Sequence, residues 1–435
     1  MCSLSNFDPI LLFISMEKIM LLDAVKKMMD LVEIQDSRDP KKVRYPLGPT
    51  LFAIILAWMC GYNSALQVEY FWRYKFKILK QSIPNFPDSL ISHDTVNRLL
   101  SLIVVDDLKS IMGHFAELVI SNKGYNELGI KRIISLDGQT PKAAEYEPGK
   151  GYLELSNDDR RLHQKLYYVT LFDSTSGLSL GMEEVEKKEN ENKACVRAIK
   201  LFDLQGTIVT ADALNTQRSV VDAIMERGGD YVLALKDNHK SLKKVVKEAL
   251  NNPELMDEYG QTYVSDVEIA HGRIEQRTVY ALPVSAIKNK VPLKDWKKDA
   301  QTVFMAVTES ENKKHEVSRE PEIRLFISSL SFDNPNIAAL GYRAIREHWH
   351  IENKLHWCLD MDFGQDHMQI KNRNYLRNCE MLSRIALNAI RLLEPKFRRP
   401  GRNESVSLSN VKHCLDWTLD ENIMTVANLF VEGKI

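Results

Sequence analysis

The spacing of hydrophobic and polar positions changes along the chain, and the first stretch is helical in character. Up to about residue 120, apolar residues recur at helical intervals, as in LDAVKKMMDLVE, and LFAIILAWMCG is apolar throughout. The string SHDTVNRLLSLI opens with a serine suited to capping a helix N-terminus. We therefore predict a helical N-terminal domain over residues 1–125. SHDTVNRLL is either the recognition part of a helix-turn-helix, through Asn97 and Arg98, or an ordinary capped surface helix.

Near residue 126 the pattern changes to short apolar runs that alternate with helices. KRIISLDG, GTIVTADAL and DYVLALK are typical of strands, LYYVTLFD and LSLGMEEVE flank a turn as in a hairpin, and ACVRAIKLFDL and TQRSVVDAIMERGG are typical of helices. This order predicts an α/β layer over residues 126–245 with a sheet covered on both faces. Asp137 and Asp212 fall at the ends of two strands, where functional groups collect in such sheets.

The last part of the chain combines strand-like runs with long helices. Residues 246–335 contain several strand-like runs, such as TVFMAVTES and IRLFISSL, and we predict a β-rich insertion there. A long helical pattern follows over residues 336–395, beginning with ALGYRAIREHWHIENKLHWCLDMDF. Residues 396–435 form a C-terminal region to which the pattern assigns no role.

Composition and charge narrow the class of protein. The chain has 435 residues, of which 44% are hydrophobic and 27% charged, so a large core in two or three domains is expected. The net charge of −1 provides no global basic field, and any polyanion binding must come from local patches. Six scattered cysteines without a C-x-x-C pair favour the reduced cytosol over a disulfide or zinc framework. The apolar runs are too short to span a bilayer, so no membrane partner is expected.

Three acidic residues stand out by position as candidate metal ligands. Asp137 and Asp212 end predicted strands, and Glu352 lies in the long helical stretch. Carboxylates brought to one edge of a sheet would suit hard divalent cations such as Mg²⁺, which prefer oxygen ligands. The alternative, that they are unrelated surface or capping acids, is open on the pattern alone.

The segment HWHIENKLHW surrounds the third acid with histidines. Residues four apart share a helix face, so Glu352 should lie beside His348 and His356. Either imidazole can orient the carboxylate from a second layer, or contact a phosphate when protonated. Asn353 is a further candidate partner in this layer. The tryptophans at 349 and 357 are expected to pack in the core, and a zinc site made of three histidines is disfavoured because they do not share one face.

Long strings around these acids resemble the DDE transposases of bacterial insertion sequences, specifically the ISAs-type group that includes the H-repeat-associated proteins. The matching strings are SLDGQT, VTADALNTQ, GGDYVLALKDN, HGRIEQR, RLFISSL and REHWHIENKLHWCLDMDFGQD. The helical region with DSRDPKKVRYPLGPTLFAIILAWMCG and SHDTVNRLL is also similar, so the resemblance runs from about residue 22 to 391.

The resemblance implies an RNase H-like catalytic core in which Asp137, Asp212 and Glu352 bind two Mg²⁺ or Mn²⁺ ions. It implies that water or a 3′-hydroxyl attacks a DNA phosphodiester at the terminal inverted repeats of an insertion sequence. The expected partners are double-stranded DNA, at the element's ends and at the target, and a second copy of the chain, as a homodimer on DNA. The expected location is the bacterial cytosol and nucleoid, and the N-terminal helical domain is expected to bind DNA.

Basic residues provide candidate DNA contacts. Lys236 and Arg273 stand in motif positions and are predicted phosphate contacts, whereas His271 is either functional or a structural histidine. A basic segment after the catalytic helix adds candidates, some of them seven residues apart, and these are Lys371, Arg373, Arg377, Arg384 and Arg391. The alternative for this segment is a solvated basic face that contacts nothing.

Two strings depart from the family pattern. After the first strand the family usually reads D-G-K-T-L-R, but here Gln139 stands at the lysine and Pro141–Lys142 at the Leu–Arg. In the later F-x-E-D string, Gln365 stands at the acid. These changes favour an alternative function, a degenerate or domesticated relative that binds DNA without cutting it. A nuclease that performs no strand transfer is a third possibility.

Overall fold

A computed structural model describes most of the chain in several stretches. The described residues are 27, 36–120, 124–140, 145–146, 164–186, 190–270, 273–287, 296, 298–312, 320–368, 372–401 and 404–432.

Within residues 36–120, four helices form the N-terminal part, as the apolar spacing predicts. They are α1 (Leu47–Met59), α2 (Ala65–Ser82), α3 (His93–Leu102) and α4 (Val105–Ile120). Helix α3 begins at the predicted serine, because the Ser92 hydroxyl accepts a hydrogen bond from the Thr95 amide at 3.3 Å. Ten residues of α1 are buried, which explains why its sequence is apolar throughout. The segment is therefore a core helix, and no helix among the described residues is long and apolar enough to cross a bilayer.

One ten-stranded sheet organises the rest of the molecule. Its strands are β1 (Arg132–Gln139), β4 (Tyr168–Asp173), β5 (Leu178–Glu184), β6 (Thr207–Ala211), β7 (Asp230–Leu235), β8 (Gln261–Val264), β9 (Glu268–Ala270), β10 (Arg273–Pro283), β11 (Thr302–Asn312) and β12 (Glu322–Ser328). The order is β5-β4-β1-β6-β7-β12-β11-β10-β8, and β9 pairs with β10. Two short strands, β2 (Glu145–Tyr146) and β3 (Gln164–Lys165), pair separately.

The strand directions divide this sheet into two parts. Strands β1, β6 and β7 are parallel to one another, and the predicted hairpin of β4 and β5 joins β1 antiparallel. The predicted β-rich segment supplies β8 to β12, which pair antiparallel, and β12 joins β7. The β-rich segment thus extends the same sheet, so the fold is mixed α/β.

Helices cover both faces of the sheet, as expected from the alternating pattern. One face packs against α5 (Glu191–Lys200), α6 (Arg218–Glu226) and α7 (Lys240–Leu250), which is followed by α8 (Pro253–Tyr259). The opposite face of the parallel strands packs against α9 (Ile337–His348) through buried residues such as Ile337 and Leu340. Strand ends, where polar groups can be exposed, are therefore the accessible part of the central sheet.

The predicted long helix contains an irregular turn. After α9, residues Ile351–His356 form a π-helix, and α10 (Trp357–Phe363) continues the chain. The left-handed Gly364, with φ of 63°, ends α10.

The C-terminal part returns to the helical region. Helix α11 (Arg373–Leu393) has sixteen buried residues and packs against α1, α3 and α4. Helices α12 (Leu408–Trp417) and α13 (Leu419–Glu432) complete a hydrophobic cluster that is shared with the N-terminal helices. Because the two ends of the chain share one core, the helical region is built from both.

Candidate active site

The first two candidate acids occupy equivalent positions on neighbouring strands. Strands β1 and β6 are parallel, and Leu136 pairs with Ala211, so the next residues, Asp137 and Asp212, follow the same register. Neighbouring strands lie about 4.8 Å apart, so the two acids belong to one edge of the sheet. Asp137 precedes the end of β1 by two residues, which corrects the expectation that it ends the strand.

Glu352 joins these acids in one cavity. The cavity has a volume of about 500 Å³, and Asp137, Asp212 and Glu352 all line it. Glu352 lies within the π-helix and is exposed. Among the residues that the structure describes, its carboxylate makes no hydrogen bond or ion pair. The π-helix therefore presents the carboxylate to the cavity and not to a protein partner.

The two flanking histidines face the two acid-bearing strands. The His348 Nδ1 atom lies 3.0 Å from the Thr210 hydroxyl on β6. The His356 Nδ1 atom lies 3.8 Å from the Asp137 Oδ2 atom on β1. His348 thus anchors one side of the Glu352 turn to the sheet by a hydrogen bond to Thr210 rather than to Glu352, whereas His356 lies near Asp137 beyond hydrogen-bond distance.

Burial keeps both imidazoles neutral. It lowers the pKa of His348 to about 4 and that of His356 to about 3. At neutral pH neither ring carries a charge, and this disfavours the predicted role of a protonated histidine that contacts DNA phosphate. Neutral rings agree better with the alternative of a second layer behind the carboxylates.

The electrostatics of Asp137 reflect a crowded group of carboxylates. Burial raises the pKa of Asp137 to about 7, and the charges of Asp212, Glu352 and Glu191 act in the same direction. The backbone amide of Gly138, which donates to Asp137 at 2.9 Å, opposes them. A group of mutually repelling carboxylates is a setting in which a bound cation would be stabilised.

A polar network behind Asp212 escaped the sequence reasoning. Asp212 Oδ1 accepts hydrogen bonds from the amides of Leu214 and Asn215, and from the Asn215 side chain at 3.4 Å. The buried Asn215 also donates to Glu191 at 2.6 Å, and the Tyr167 hydroxyl donates to the same carboxylate. Asn215 lies three residues after Asp212 in VTADALNTQ, so its position in this motif could have indicated a role beside the acid. Glu191 and Tyr167 belong to distant parts of the sequence, which give no such indication.

The donor chemistry of the cavity suits a hard divalent cation. Three carboxylates that line one space provide oxygen ligands only, the kind that Mg²⁺ and Mn²⁺ accept. The three residues therefore fit such an ion by chemical type and by the cavity that they share. They do not form a closed ligand set, because within the described stretches no three His, Cys, Asp or Glu side chains stand close enough together to hold a metal ion.

Two predicted phosphate contacts lie in or beside this cavity. Lys236 lines the cavity with the acids. Arg273 is exposed and lines a second cavity of about 470 Å³, next to Arg346 and Asn353. Trp349 borders both cavities. His271 and Lys371 lie outside the described residues.

The basic residues of α11, which follows α10, do not form the predicted solvent-exposed basic face. Arg373 and Arg377 form ion pairs with Glu184 on β5, and Arg391 donates to the carbonyl groups of Gly177 and Lys354. The prediction that Arg384 contacts DNA is wrong, because this side chain is fully buried. Its guanidinium pairs with Glu380 at 2.8 Å. The seven-residue spacing marks a face of α11 that packs into the protein.

The two tryptophans also differ from each other. The Arg324 guanidinium lies over the Trp349 ring, 4.8 Å from its centroid. Trp357 is 58% exposed, so the prediction that it packs in the core is wrong. Arg324, Lys243 and Lys247 line the carboxylate cavity as well, and sequence reasoning missed all three.

Comparisons with known proteins identify the family of this chain. The family model described as "Transposase DDE domain" matches residues 129–389, which is more than half of the chain, and the model "DDE_Tnp_1-associated" matches residues 28–116. The range of the first model includes all three candidate acids.

The chain is also similar to two proteins of Escherichia coli (strain K12), named "Putative protein YbfL" and "H repeat-associated putative transposase YhhI". Each is 30% identical over 377 residues, which cover 84% of this chain and 90% of the relative. A piggyBac transposase synaptic complex with hairpin DNA aligns with a TM-score of 0.38 and 10% identity, over 97% of this chain and 82% of that one. The matched models and the full-length relatives establish that the chain belongs to the DDE transposase domain family.

Proposed function

We propose that this protein is a DNA transposase that cleaves phosphodiester bonds at the terminal inverted repeats of an insertion sequence and transfers the strand to target DNA. One observation carries the proposal. Asp137 and Asp212 stand in matching register on parallel strands, and they share a cavity with Glu352. Three carboxylates at that place are the expected metal-binding triad of a DDE enzyme.

The strand order supports an RNase H-like core. Numbered along the chain, the five core strands stand in the order 3-2-1-4-5, with the second antiparallel to its neighbours. On this basis we assign residues 126–245 and 336–395 to the catalytic core and 246–335 to its insertion. Residues 1–125 are assigned to a DNA-binding domain, and residues 396–435 have no assigned role.

The reaction is a displacement at phosphorus. The oxygen of water or of a 3′-hydroxyl group loses its proton as it forms a bond to phosphorus, the bond to the leaving 3′ oxygen breaks, and that oxygen takes up a proton. Two Mg²⁺ or Mn²⁺ ions, when bound, would activate the entering oxygen and neutralise charge on the leaving one. Asp137, Asp212 and Glu352 would hold these ions, while His348 ties the Glu352 turn to β6 by its hydrogen bond and His356 packs beside Asp137.

The proposed partners follow from this chemistry. Double-stranded DNA is the substrate at both the element's ends and the target. Two ends must be brought together, so a homodimer on DNA is proposed, in the bacterial cytosol and nucleoid.

The test is a cleavage assay with the purified protein, Mg²⁺ and DNA that carries the ends of its own element. Wild type should cut at the ends, and Asp137→Ala should not, although it binds the same DNA. Equal product from both proteins would overturn the catalytic assignment.

A further inference from the structure

The carboxylate cavity has a second half whose charge is opposite. Across the sheet, Asp137 and Asp212 belong to β1 and β6, whereas Lys236 directly follows β7 and Arg324 lies on β12. Leu235 pairs with Leu325 in antiparallel register, so Lys236 and Arg324 are neighbours just beyond that pair. The edge of the sheet therefore passes from acidic to basic residues within one cavity.

Helix α7 adds two lysines to this basic half. Lys243 and Lys247 are one helical turn apart and both line the cavity. The other side of α7 is anchored in the core by buried residues such as Leu242 and Val246. Lys243 lies 3.0 Å from the carboxylate of Asp237, while the Lys247 ammonium has no ion pair within the described part of the chain. The helix thus holds a free positive charge over the cavity.

Arg324 is held in place from two sides. Its guanidinium makes an ion pair with Glu322 at 2.7 Å and lies over the ring of Trp349. A stacked, paired guanidinium is preorganised, so less side-chain entropy is lost when it binds an anion.

We propose that Lys236, Lys243, Lys247 and Arg324 bind the backbone phosphates next to the scissile phosphate, on the strand held at Asp137, Asp212 and Glu352. This inference rests on the proposed function and adds a binding subsite to it. Lysines are flexible point charges, so the contact should position DNA without reading its sequence. The DNA strand would then run from the acidic half of the cavity, which holds the scissile phosphate, to the basic half, which binds the neighbouring phosphates.

Helix α7 provides a matched control for this proposal. Lys244 lies between the two cavity lysines in the chain but does not line the cavity, and its side chain is 77% exposed and lies 3.9 Å from Glu248. Lys243→Ala/Lys247→Ala removes the subsite charges, whereas Lys244→Ala removes a charge of the same kind from the same helix. Thermal unfolding of each variant should match that of wild type.

The experiment measures binding of a fluorescein-labelled DNA duplex with a single-stranded 3′ overhang, in Ca²⁺, over a range of salt concentrations. The slope of log K against log salt should fall by about 1 for each cavity lysine removed. Lys244→Ala should keep the wild-type slope. A wild-type slope in the double variant would overturn the proposed subsite, and so would an equal loss in Lys244→Ala.

Cleavage in Mg²⁺ separates this inference from the proposed function. If wild type cuts DNA and the double variant keeps the full slope, the subsite is wrong and the function stands. If the double variant shows the expected lower slope than wild type, but wild type never cuts DNA, the proposed function is wrong and the subsite stands. Absence of any DNA binding by wild type would overturn both.

Discussion

Gln139 and Gln365, which are 226 positions apart, form a hydrogen bond inside the protein. The Gln139 amide donates to the Gln365 carbonyl oxygen at 3.3 Å, and both side chains are buried. These are the two positions at which the chain departs from the family's lysine and acid. A neutral pair therefore stands where the family pattern places a lysine and an acid, and we interpret the two changes as one coupled replacement. The degenerate relative that these changes favour stays an alternative.

We predict that restoring the family residues one at a time destabilises the protein. Gln139→Lys brings a positive charge close to Arg384, whose guanidinium donates to Gln139 at 3.2 Å, and Gln365→Glu buries an unpaired negative charge. Each should cost about 3–5 kcal/mol of unfolding free energy, as for a buried charge without its partner. Urea unfolding of the single variants and the double variant measures the coupling. The double variant should recover most of the loss, and additive losses would contradict the pairing.

A second prediction concerns the buried ion pair of α11. Glu380 and Arg384 are both fully buried and pair at 2.8 Å, and burial raises the pKa of Glu380 while Arg384 lowers it. Arg384→Met should cost about 3–5 kcal/mol because Glu380 loses its partner. Glu380→Leu/Arg384→Met should be much closer to wild type in urea unfolding.

The surface control for this variant is Arg273→Met. Arg273 is exposed, so its replacement should leave unfolding unchanged and reduce the salt dependence of DNA binding by about one contact. If folded Arg384→Met loses DNA affinity and Arg273→Met does not, then Arg384 contacts DNA and Arg273 does not, contrary to this prediction.

The sequence predicts the helices and strands better than it predicts which of their faces are buried against the rest of the protein. Apolar runs identify β1, β4, β5, β6 and β7, since a strand buried on both faces must be apolar along its length. Seven-residue spacing in α11 predicts a shared face, but periodicity does not state whether solvent or protein covers that face. The Arg384 guanidinium contacts Gln139 on β1 and lies over the Tyr168 ring on β4, and both residues are more than two hundred positions away in the chain.

A third prediction distinguishes an active transposase from a decayed relative. Wild type should bind Mn²⁺ in calorimetry, because three carboxylates line the cavity and repel one another without a cation. Asp137→Asn and Asp212→Asn should each lose most of this binding. Heat of binding that is absent in wild type, or unchanged in both variants, would favour the degenerate relative.

A fourth prediction assigns Asn215 as a positioning residue for Asp212. Asn215 joins the Asp212 and Glu191 carboxylates, so Asn215→Ala should free both. Loss of such a supporting contact should weaken Mn²⁺ binding by about 10–100-fold. The exposed neighbour Leu214 provides the control, because Leu214→Ala removes no side-chain contact to either acid. Equal Mn²⁺ affinity in the two variants would show that Asn215 has only a structural role.

The candidate site was predictable where its residues share a motif and not where they meet only in space. Asp137, Asp212, Glu352 and their histidines stand in strings typical of the family. Glu191 stands in no such string, and Arg324 opens RLFISSL without being singled out there by its chemistry. Glu191 reaches Asp212 through Asn215, and Arg324 reaches the cavity because β12 joins the sheet next to β7. The lysines of α7 are also typical of an ordinary solvated helix, and only the packing of α7 against the sheet brings Lys243 and Lys247 to the cavity.

The π-helix at Ile351–His356 makes the number of residues in this segment a constraint of its own. A π-turn is an α-helix with one extra residue, so a single deletion there would restore regular α-helical geometry. Because the extra residue is absorbed within this turn, the flanking helices would keep their relative orientation after the deletion. His348 and His356 could then still face β6 and β1, but Glu352 would lose the wider turn that carries it. Substitutions between the histidines can be tolerated one by one, whereas a change of length is expected to displace the third acid from the cavity.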